Sequence, residues 1–499
     1  MTLQQAVERL NAFEEAQQAY RQARTILSLD GATAAPRQSV RGRERTMGYL
    51  SGALYRLTVT GENREMLETI LAHAGAVDAV TLRRAEKQKE ALDDMTRIPM
   101  EEYVAFERLC TEADAVWHEA KEKSDYPAFA PYLARLIDYQ RRFAQRKDDT
   151  RAPYDVLLDT YEKGTSMAML DPFFDLLRRK LTPVILAVKE RPAPRTDFLH
   201  QSFPVYGQRV FADRLMDMMG IDRSRCAIAE TEHPFTDSCN RWDVRITTHY
   251  YEHDMTSGMY SVIHEGGHAL YELGVSEALS FTCLEGGSTM GIHESQSRLY
   301  ENLIGRSLPF CRAVLPVMRD CFPEQLRGVT PEMLYAAVND ARPSLKRTEA
   351  DELTYGMHVL IRYELEKRML RGDVTVQELP DAWNELYRSC LGVEVPCDRE
   401  GILQDSHWAG GAFGYFPSYA LGSAYGVQML RNMEQSFDPW PQVERGDLSG
   451  VNAWLGEHIH RHGCLLKPQE ILRDALGGAF DPQVYVNYLT QKFTALYQL

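Results

Sequence analysis

Residues 261–274 read Ser-Val-Ile-His-Glu-Gly-Gly-His-Ala-Leu-Tyr-Glu-Leu-Gly. The H-E-x-x-H inside this stretch constrains the fold more than any other segment, because its chemistry works only on a helix. Positions i and i+4 share one helix face, so His264 and His268 present two imidazoles to a single ion. Glu265 lies about 100° further round the helix. It projects beside the ion, where a base must stand to take a proton from an activated water. Gly266 and Gly267 each cost on the order of 1 kcal/mol relative to Ala in a helix interior. A surface helix has no use for that pair; a helix needing close backbone approach around a metal does.

A catalytic site of this type needs a third protein ligand and an open position. The nearest source is His293-Glu294-Ser295-Gln296, read as the opening of a second helix marked by Ser297-Arg298-Leu299-Tyr300-Glu301-Asn302-Leu303. Twenty-five residues lie between His268 and Glu294, enough for the rest of one helix, a turn at Gly286-Gly287 and a return. Glu294 would complete a His₂Glu set and His293 a His₃ set; the spacing leaves both open.

The rest of the chain reads as predominantly α-helical. Leu3, Val7 and Leu10 recur at helical spacing, and residues 1–150 are rich in strong helix formers, broken near Ala35-Pro36 and Ile98-Pro99. Leu353, Met357, Leu360, Ile361 and Leu365 predict a further amphipathic helix. Short strands are expected at Ala227-Ile228-Ala229 and over 242–248, just ahead of the H-E-x-x-H. Residues 190–196, Glu-Arg-Pro-Ala-Pro-Arg-Thr, are the most linker-like. They divide a single domain, 1–499, into an N-terminal helical part (1–190) and a part carrying the metal site (191–499).

Composition narrows the function classes. Of 499 residues 44% are hydrophobic and 25% charged, proportions of a globular chain able to bury a large core. With 71 acidic against 56 basic residues the net charge is −15, which repels a phosphate backbone and argues against nucleic acid as a partner. Nine cysteines without a C-x-x-C pair fit a reducing compartment. No uncharged apolar run of about 18 residues is present, and the start lacks the apolar core of a signal peptide. The expectation is a soluble, cytoplasmic protein that engages no membrane.

Six segments carry a family resemblance. They are His233-Pro234-Phe235, Asp243-x-Arg245-x-Thr247, the H-E-x-x-H, His293-Glu294-Ser295-Gln296, Arg347-Thr-Glu-Ala-Asp351, and Gly401-x-x-Gln404-Asp405-x-His407-Trp408. In kind and order the sequence resembles the thermostable carboxypeptidase (carboxypeptidase Taq) family of metallopeptidases. The resemblance implies a mostly helical, saddle-shaped fold with a deep groove, similar to neurolysin and angiotensin-converting enzyme. It implies one divalent metal ion per subunit, a homodimer, and release of C-terminal residues from peptides. Carried over by motif, the ligands are His264, His268 and Glu294, and the base is Glu265. Zn²⁺ suits a His₂Glu site with an open position, and Co²⁺ or Mn²⁺ can occupy the same set. Departures are Gly266 where the family commonly has Thr, Leu29-Asp30 for an early Trp-Asp, and the unusual segment before His293.

Peptide hydrolysis also requires that a developing oxyanion be held. Residues 407–419, which include His407, Tyr415 and Tyr419, offer donors, and their glycines suggest backbone close to substrate. Tyr415 resembles the oxyanion-stabilising tyrosine of related folds, with Tyr419 as the alternative; the competing reading of the segment is a buried aromatic turn. An exopeptidase must recognise a free α-carboxylate, for which Arg is the natural partner. Arg347 is the candidate, unless Asp351 holds it in a helical ion pair. Asp243 and Arg245 are expected to brace a strand, and His233 to be structural. The reading is a metallocarboxypeptidase acting on peptides with a free C-terminus. Its rivals are a dipeptidyl carboxypeptidase or oligopeptidase on the same scaffold, and a catalytically silent helical binding protein.

Overall fold

In a computed structural model describing residues 1–499, apart from the side chain of Arg37, helices dominate and one three-stranded sheet sits ahead of the H-E-x-x-H. The expected proline breaks are present: the first helix, Leu3–Thr33, ends before Pro36, and Ala79–Arg97 ends before Pro99. Four helices, Leu3–Thr33, Val40–Thr58, Gly61–Ala72 and Ala79–Arg97, open the N-terminal part. Leu10, Phe13, Met66, Ile70 and Leu92 belong to a small core of their own there. One large core runs from Phe106 to Tyr497, so the helices on either side of residues 190–196 share it. No helix among the described residues is long and apolar enough to cross a membrane.

The sheet comprises β1 (Cys226–Glu230), β2 (Thr236–Asn240) and β3 (Asp243–Thr248), in the order β1-β3-β2. β1 pairs parallel with β3 through Ile228 and Ile246, and β2 pairs antiparallel with β3, forming an edge. The expected strands correspond to β1 and β3. β2 was not foreseen: Thr-Asp-Ser-Cys-Asn has almost no β-branched or aromatic signal, and pairing with β3 makes it a strand. Asp243 and Arg245 project from one face of β3 and pair through two contacts of 2.8 Å, bracing it as expected.

The double-histidine helix, Met255–Gly274, is capped by the Asp254 side chain. The glutamate helix, Met290–Arg298, starts three residues before His293, with Thr289 as N-cap, and continues as a π-helical stretch over Leu299–Ile304. Glu294 is therefore in the second turn rather than at the helix opening. Buried Glu162 ties down that start, accepting bonds from Thr289 Oγ1 (2.6 Å) and the Gly291 N–H (2.7 Å).

Two expectations need correction. Helix Glu352–Arg371, which carries Leu353, Met357, Leu360, Ile361 and Leu365, is not amphipathic in the surface sense; it is buried on nearly every side. Its polar residues His358, Arg362 and Glu366 are fully buried in hydrogen-bonded networks instead of facing solvent. The glycine pair, read as serving close backbone approach around a metal, does so at only one of its two positions: Gly267 admits the helix that carries Glu294, and Gly266 does not face it. A Cβ on Gly267 would lie 2.8 Å from Gln296 O and Ser297 Cα of the glutamate helix, whereas one on Gly266 would meet the flexible Met219 side chain at 2.7 Å.

Backbone cannot yield as a methionine tip can. Gly267→Ala should therefore lower the thermal midpoint, its overpacking of about 1–3 kcal/mol exceeding the roughly 1 kcal/mol gained in helix propensity. Gly266→Ala should stay near wild type. Thermal unfolding of both variants checks this, and equal midpoints would contradict the packing argument.

Candidate metal centre

His264 and His268 stand one turn apart on the double-histidine helix, and the close approach at Gly267 brings the glutamate helix beside them. Glu294 Oε2 lies 3.9 Å from His264 Nε2 and 3.6 Å from His268 Nε2. One ligand atom from each of these three residues falls within 4.8 Å of the others. Glu294 Oε1 is already taken by Arg298 Nε at 2.8 Å, so a single carboxylate oxygen faces the two imidazoles.

The far side of each ring is also engaged. His264 Nδ1 meets Glu301 Oε2 at 2.9 Å, from the π-helical stretch. His268 Nδ1 meets His293 Nδ1 at 2.6 Å, and His293 Nε2 meets Glu272 Oε1 at 2.8 Å. Hydrogen bonds to Nδ1 fix tautomer and ring orientation, leaving Nε2 as the donor atom. Burial, reinforced by the neighbouring His293, His264 and Arg298, holds the His268 pKa well below its ordinary value, so the ring is neutral, as a ligand must be. His293, the alternative third ligand, has both ring nitrogens committed and touches His268 from behind.

This donor set of two neutral-capable nitrogens and one oxygen, all buried or half-buried and converging, fits a divalent cation of borderline hardness. Glu265, 7% exposed, points elsewhere: its Oε2 accepts from Thr236 Oγ1 of β2 at 2.7 Å. Burial pushes its pKa up, and the charges of Glu294 and Glu301 add to that. A carboxylate with raised proton affinity is suited to general-base work.

A cavity of about 790 Å³ opens over these groups, lined by His264, Glu265, Glu294, Arg347, Tyr355 and Tyr419 among others. A second, of about 620 Å³, lies behind His293 and Glu272, between β2 and the first helix. Tyr415 is absent from the first cavity's wall; its ring packs edge-on against Tyr161 and Tyr419, each 5.1 Å away. His407 stacks on Phe416 at 4.4 Å and reaches Tyr419 Oη with Nε2 at 3.3 Å. Burial lowers the His407 pKa to about 4, so the ring is neutral, and its Nδ1 is buried without a partner. An orphaned lone pair is cheaper than an orphaned N–H, which places the proton on Nε2. His407 then donates to Tyr419, whose own O–H is left to donate, either to the neighbouring Tyr415 oxygen or into the cavity that Tyr419 lines. Two of the segment's glycines serve packing: a Cβ on Gly414 would lie 2.7 Å from the Leu157 carbonyl carbon and one on Gly411 2.5 Å from the Phe106 ring, and the Gly414 N–H donates to Glu366.

Arg347 is buried in the wall of the same cavity. Asp351 does not pair with it; that side chain caps helix Glu352–Arg371, accepting from Leu353 N and Thr354 N. Asp405 takes the role instead, with Oδ1 3.0 Å from Arg347 Nε and 2.9 Å from Nη2, while its Oδ2 accepts from Arg362 at 2.7 Å. Two guanidinium groups thus share one carboxylate and leave one positive charge uncompensated. Arg347 Nη1 has only the long 3.5 Å contact to Tyr355 Oη. His233 is exposed near the rim, where Pro234 lines the cavity.

Sequence reasoning missed Thr236, Glu272, Glu301, Arg298 and Tyr355. Glu272, four residues after His268, carried a usable signal, since it repeats the helical spacing of the motif. The others depend on tertiary approach.

Comparison with known proteins follows the same lines. The model of the carboxypeptidase Taq (M32) metallopeptidase family matches residues 9–493. Carboxypeptidase 1 of Bacillus subtilis is 37% identical over 482 residues, covering 96% of this chain and 96% of that protein. Thermostable carboxypeptidase 1 of Thermus thermophilus is 36% identical over 490 residues, covering 95% of each. The crystal structure of the M32 carboxypeptidase from Deinococcus radiodurans R1 aligns with a TM-score of 0.97 at 35% identity, covering 99% of this chain and 100% of that one.

If Glu294 is a ligand and His293 its neighbour's support, Glu294→Ala should abolish stoichiometric metal retention. His293→Ala and Glu301→Gln should weaken it by about 10–100-fold, as loss of outer partners does. Equilibrium dialysis against a metal buffer measures all three, and a larger loss for His293→Ala than for Glu294→Ala would reverse the assignment.

Proposed function

Since the chain belongs to the carboxypeptidase Taq (M32) family of metallopeptidases, it is a metallocarboxypeptidase, and we propose that His264, His268, Glu294 and Glu265 perform its chemistry. The observation carrying this reading is the convergence of His264 Nε2, His268 Nε2 and Glu294 Oε2 with both Nδ1 atoms tied off. Those three residues would hold the divalent metal, and Zn²⁺ is the ion that best suits two imidazoles and a carboxylate, with Co²⁺ or Mn²⁺ tolerated. When bound, the metal supplies a Lewis acid that polarises the scissile carbonyl and makes water nucleophilic near neutral pH.

The protein supplies the rest. Glu265, held by Thr236, accepts a proton from the attacking water and returns it to the departing amine. Tyr419, oriented by His407, donates a hydrogen bond from its phenol O–H to the oxygen on which charge develops. This assigns to Tyr419 the role expected first for Tyr415, which acts here through its packing on Tyr419. Arg347 offers Nη1 to the C-terminal carboxylate, supported by the uncompensated charge it shares with Arg362. The substrates are peptides with a free C-terminus, and the working form is a homodimer in a reducing, cytoplasmic setting, a compartment consistent with nine free thiols.

Glu265→Gln keeps shape and cannot take the proton. It should retain metal and lose about 10²–10⁴-fold in kcat, measured by steady-state hydrolysis of one unmodified peptide. A variant retaining more than about a tenth of wild-type kcat would place the base elsewhere.

The polarity of attack gives a second test. Amidating the substrate C-terminus removes the partner of Arg347 and should lower kcat/KM by about 30- to 1000-fold. Arg347→Ala should reproduce that loss on the free acid and add little on the amide. Additive losses would mean that another residue holds the carboxylate, and equal cleavage of acid and amide would mark an endopeptidase.

A further inference from the structure

Behind the Arg347 wall lies a separate cavity of about 430 Å³ that the chemistry above does not use. It shares Arg347 and Thr348 with the cavity over the metal centre, so the Arg347–Glu349 turn is the partition between them. Lys121, Lys346, Arg347 and Arg399 line it against two carboxylates, Glu400 and Asp405. Arg362 adds a further positive charge behind Asp405, and Glu349 subtracts one by pairing with Lys346 at 2.9 Å. The excess remains two positive charges, in a chain whose net charge is −15.

Two of these cations have no carboxylate within ion-pair distance among the described residues. Lys121 Nζ donates to the Gln404 carbonyl at 2.8 Å and lies over the Trp117 ring, a neutral setting for a half-buried ammonium. Burial lowers its pKa, Asp405, already shared by two guanidinium groups, opposes that, and the charges of Arg399 and Lys346 reinforce it. Arg399 is exposed at the mouth, anchored through its backbone N–H to Ser124 Oγ and with its side chain free. A half-buried cation left unpaired is costly unless something else neutralises it.

We propose that this cavity binds a small dianion bearing carboxylate or phosphate oxygens, held between Lys121 and Arg399 with its inner oxygens toward Arg347. Charge count and size both point to a dianion: two uncompensated charges, and room for a molecule of a few heavy atoms beside water. Bound there, it draws on the same surplus positive charge that receives the substrate carboxylate. On the reading of Arg347 given above, the dianion weakens substrate binding without touching the reacting atoms, so KM rises and kcat holds. The cavity becomes a sensor of small acids set one residue away from the substrate's own acid.

The test is calorimetric titration of the metal-loaded protein at fixed ionic strength, in separate runs with inorganic phosphate and with malonate. Saturable one-to-one binding is expected for at least one, and the tighter of the two identifies the oxygen chemistry. Lys121→Gln and Arg399→Gln should each weaken it by about fivefold or more, the effect of losing one charged contact of about 1 kcal/mol. Arg399 is exposed, so its variant tests the site even if the Lys121 replacement disturbs folding. No saturable binding, or binding unchanged in both variants as expected for an anion on the metal centre, overturns the proposal. Binding that depends on Lys121 and Arg399 while KM stays unmoved upholds the anion site and overturns Arg347 as the carboxylate receptor.

Discussion

How closely two helices can approach sets everything else at the centre. At Gly267 the double-histidine helix lies against the backbone of Gln296 and Ser297, leaving no room for a side-chain carbon. On the opposite flank a Cβ at Gly422 would lie 2.6 Å from Glu294 Cβ, so helix Pro417–Ser436 presses the glutamate helix from behind. With glycines on both flanks the glutamate helix is held tightly between its two neighbours, which fixes where the Glu294 carboxylate stands relative to the two imidazoles. In that arrangement Glu294 Oε2 lies 3.6 Å from His268 Nε2 and 3.9 Å from His264 Nε2.

Close approach buries charge, and buried charge must be matched. Arg298 stands between Glu294 and Glu301, Glu301 holds His264, and Glu272 holds His293, which holds His268. Each link orients the next, so the ring orientations that point Nε2 inward are set by residues outside the three candidate ligands. The Arg347–Asp405–Arg362 cluster follows another rule. One carboxylate between two guanidinium groups leaves a permanent positive charge in the wall that the two cavities share.

What the sequence made legible was local. His264, Glu265 and His268 follow from spacing on one helix, and the predominance of helix follows from periodicity and propensity. Glu294 came from its place after the H-E-x-x-H and from the family resemblance, with His293 as the alternative that spacing left open. What stayed hidden was tertiary. Thr236 sits on a polar edge strand whose pairing, not composition, makes it a strand. The partner of Arg347 is Asp405, 58 residues on, instead of the helical neighbour Asp351. Apolar periodicity in helix Glu352–Arg371 was real, but its polar face proved to be interior. A sequence pattern shows that one face differs from another without showing what either face meets.

The central claim is that His264, His268 and Glu294 together hold the ion on which peptide hydrolysis depends. Anomalous diffraction from crystals of the zinc-loaded protein, collected on both sides of the zinc absorption edge, tests it most directly. The account predicts a single strong peak per subunit, at about 2.0–2.2 Å from His264 Nε2, His268 Nε2 and one Glu294 oxygen, with His293 and Glu265 outside bonding distance. A peak bonded to His293, or none between the two helices, would contradict it.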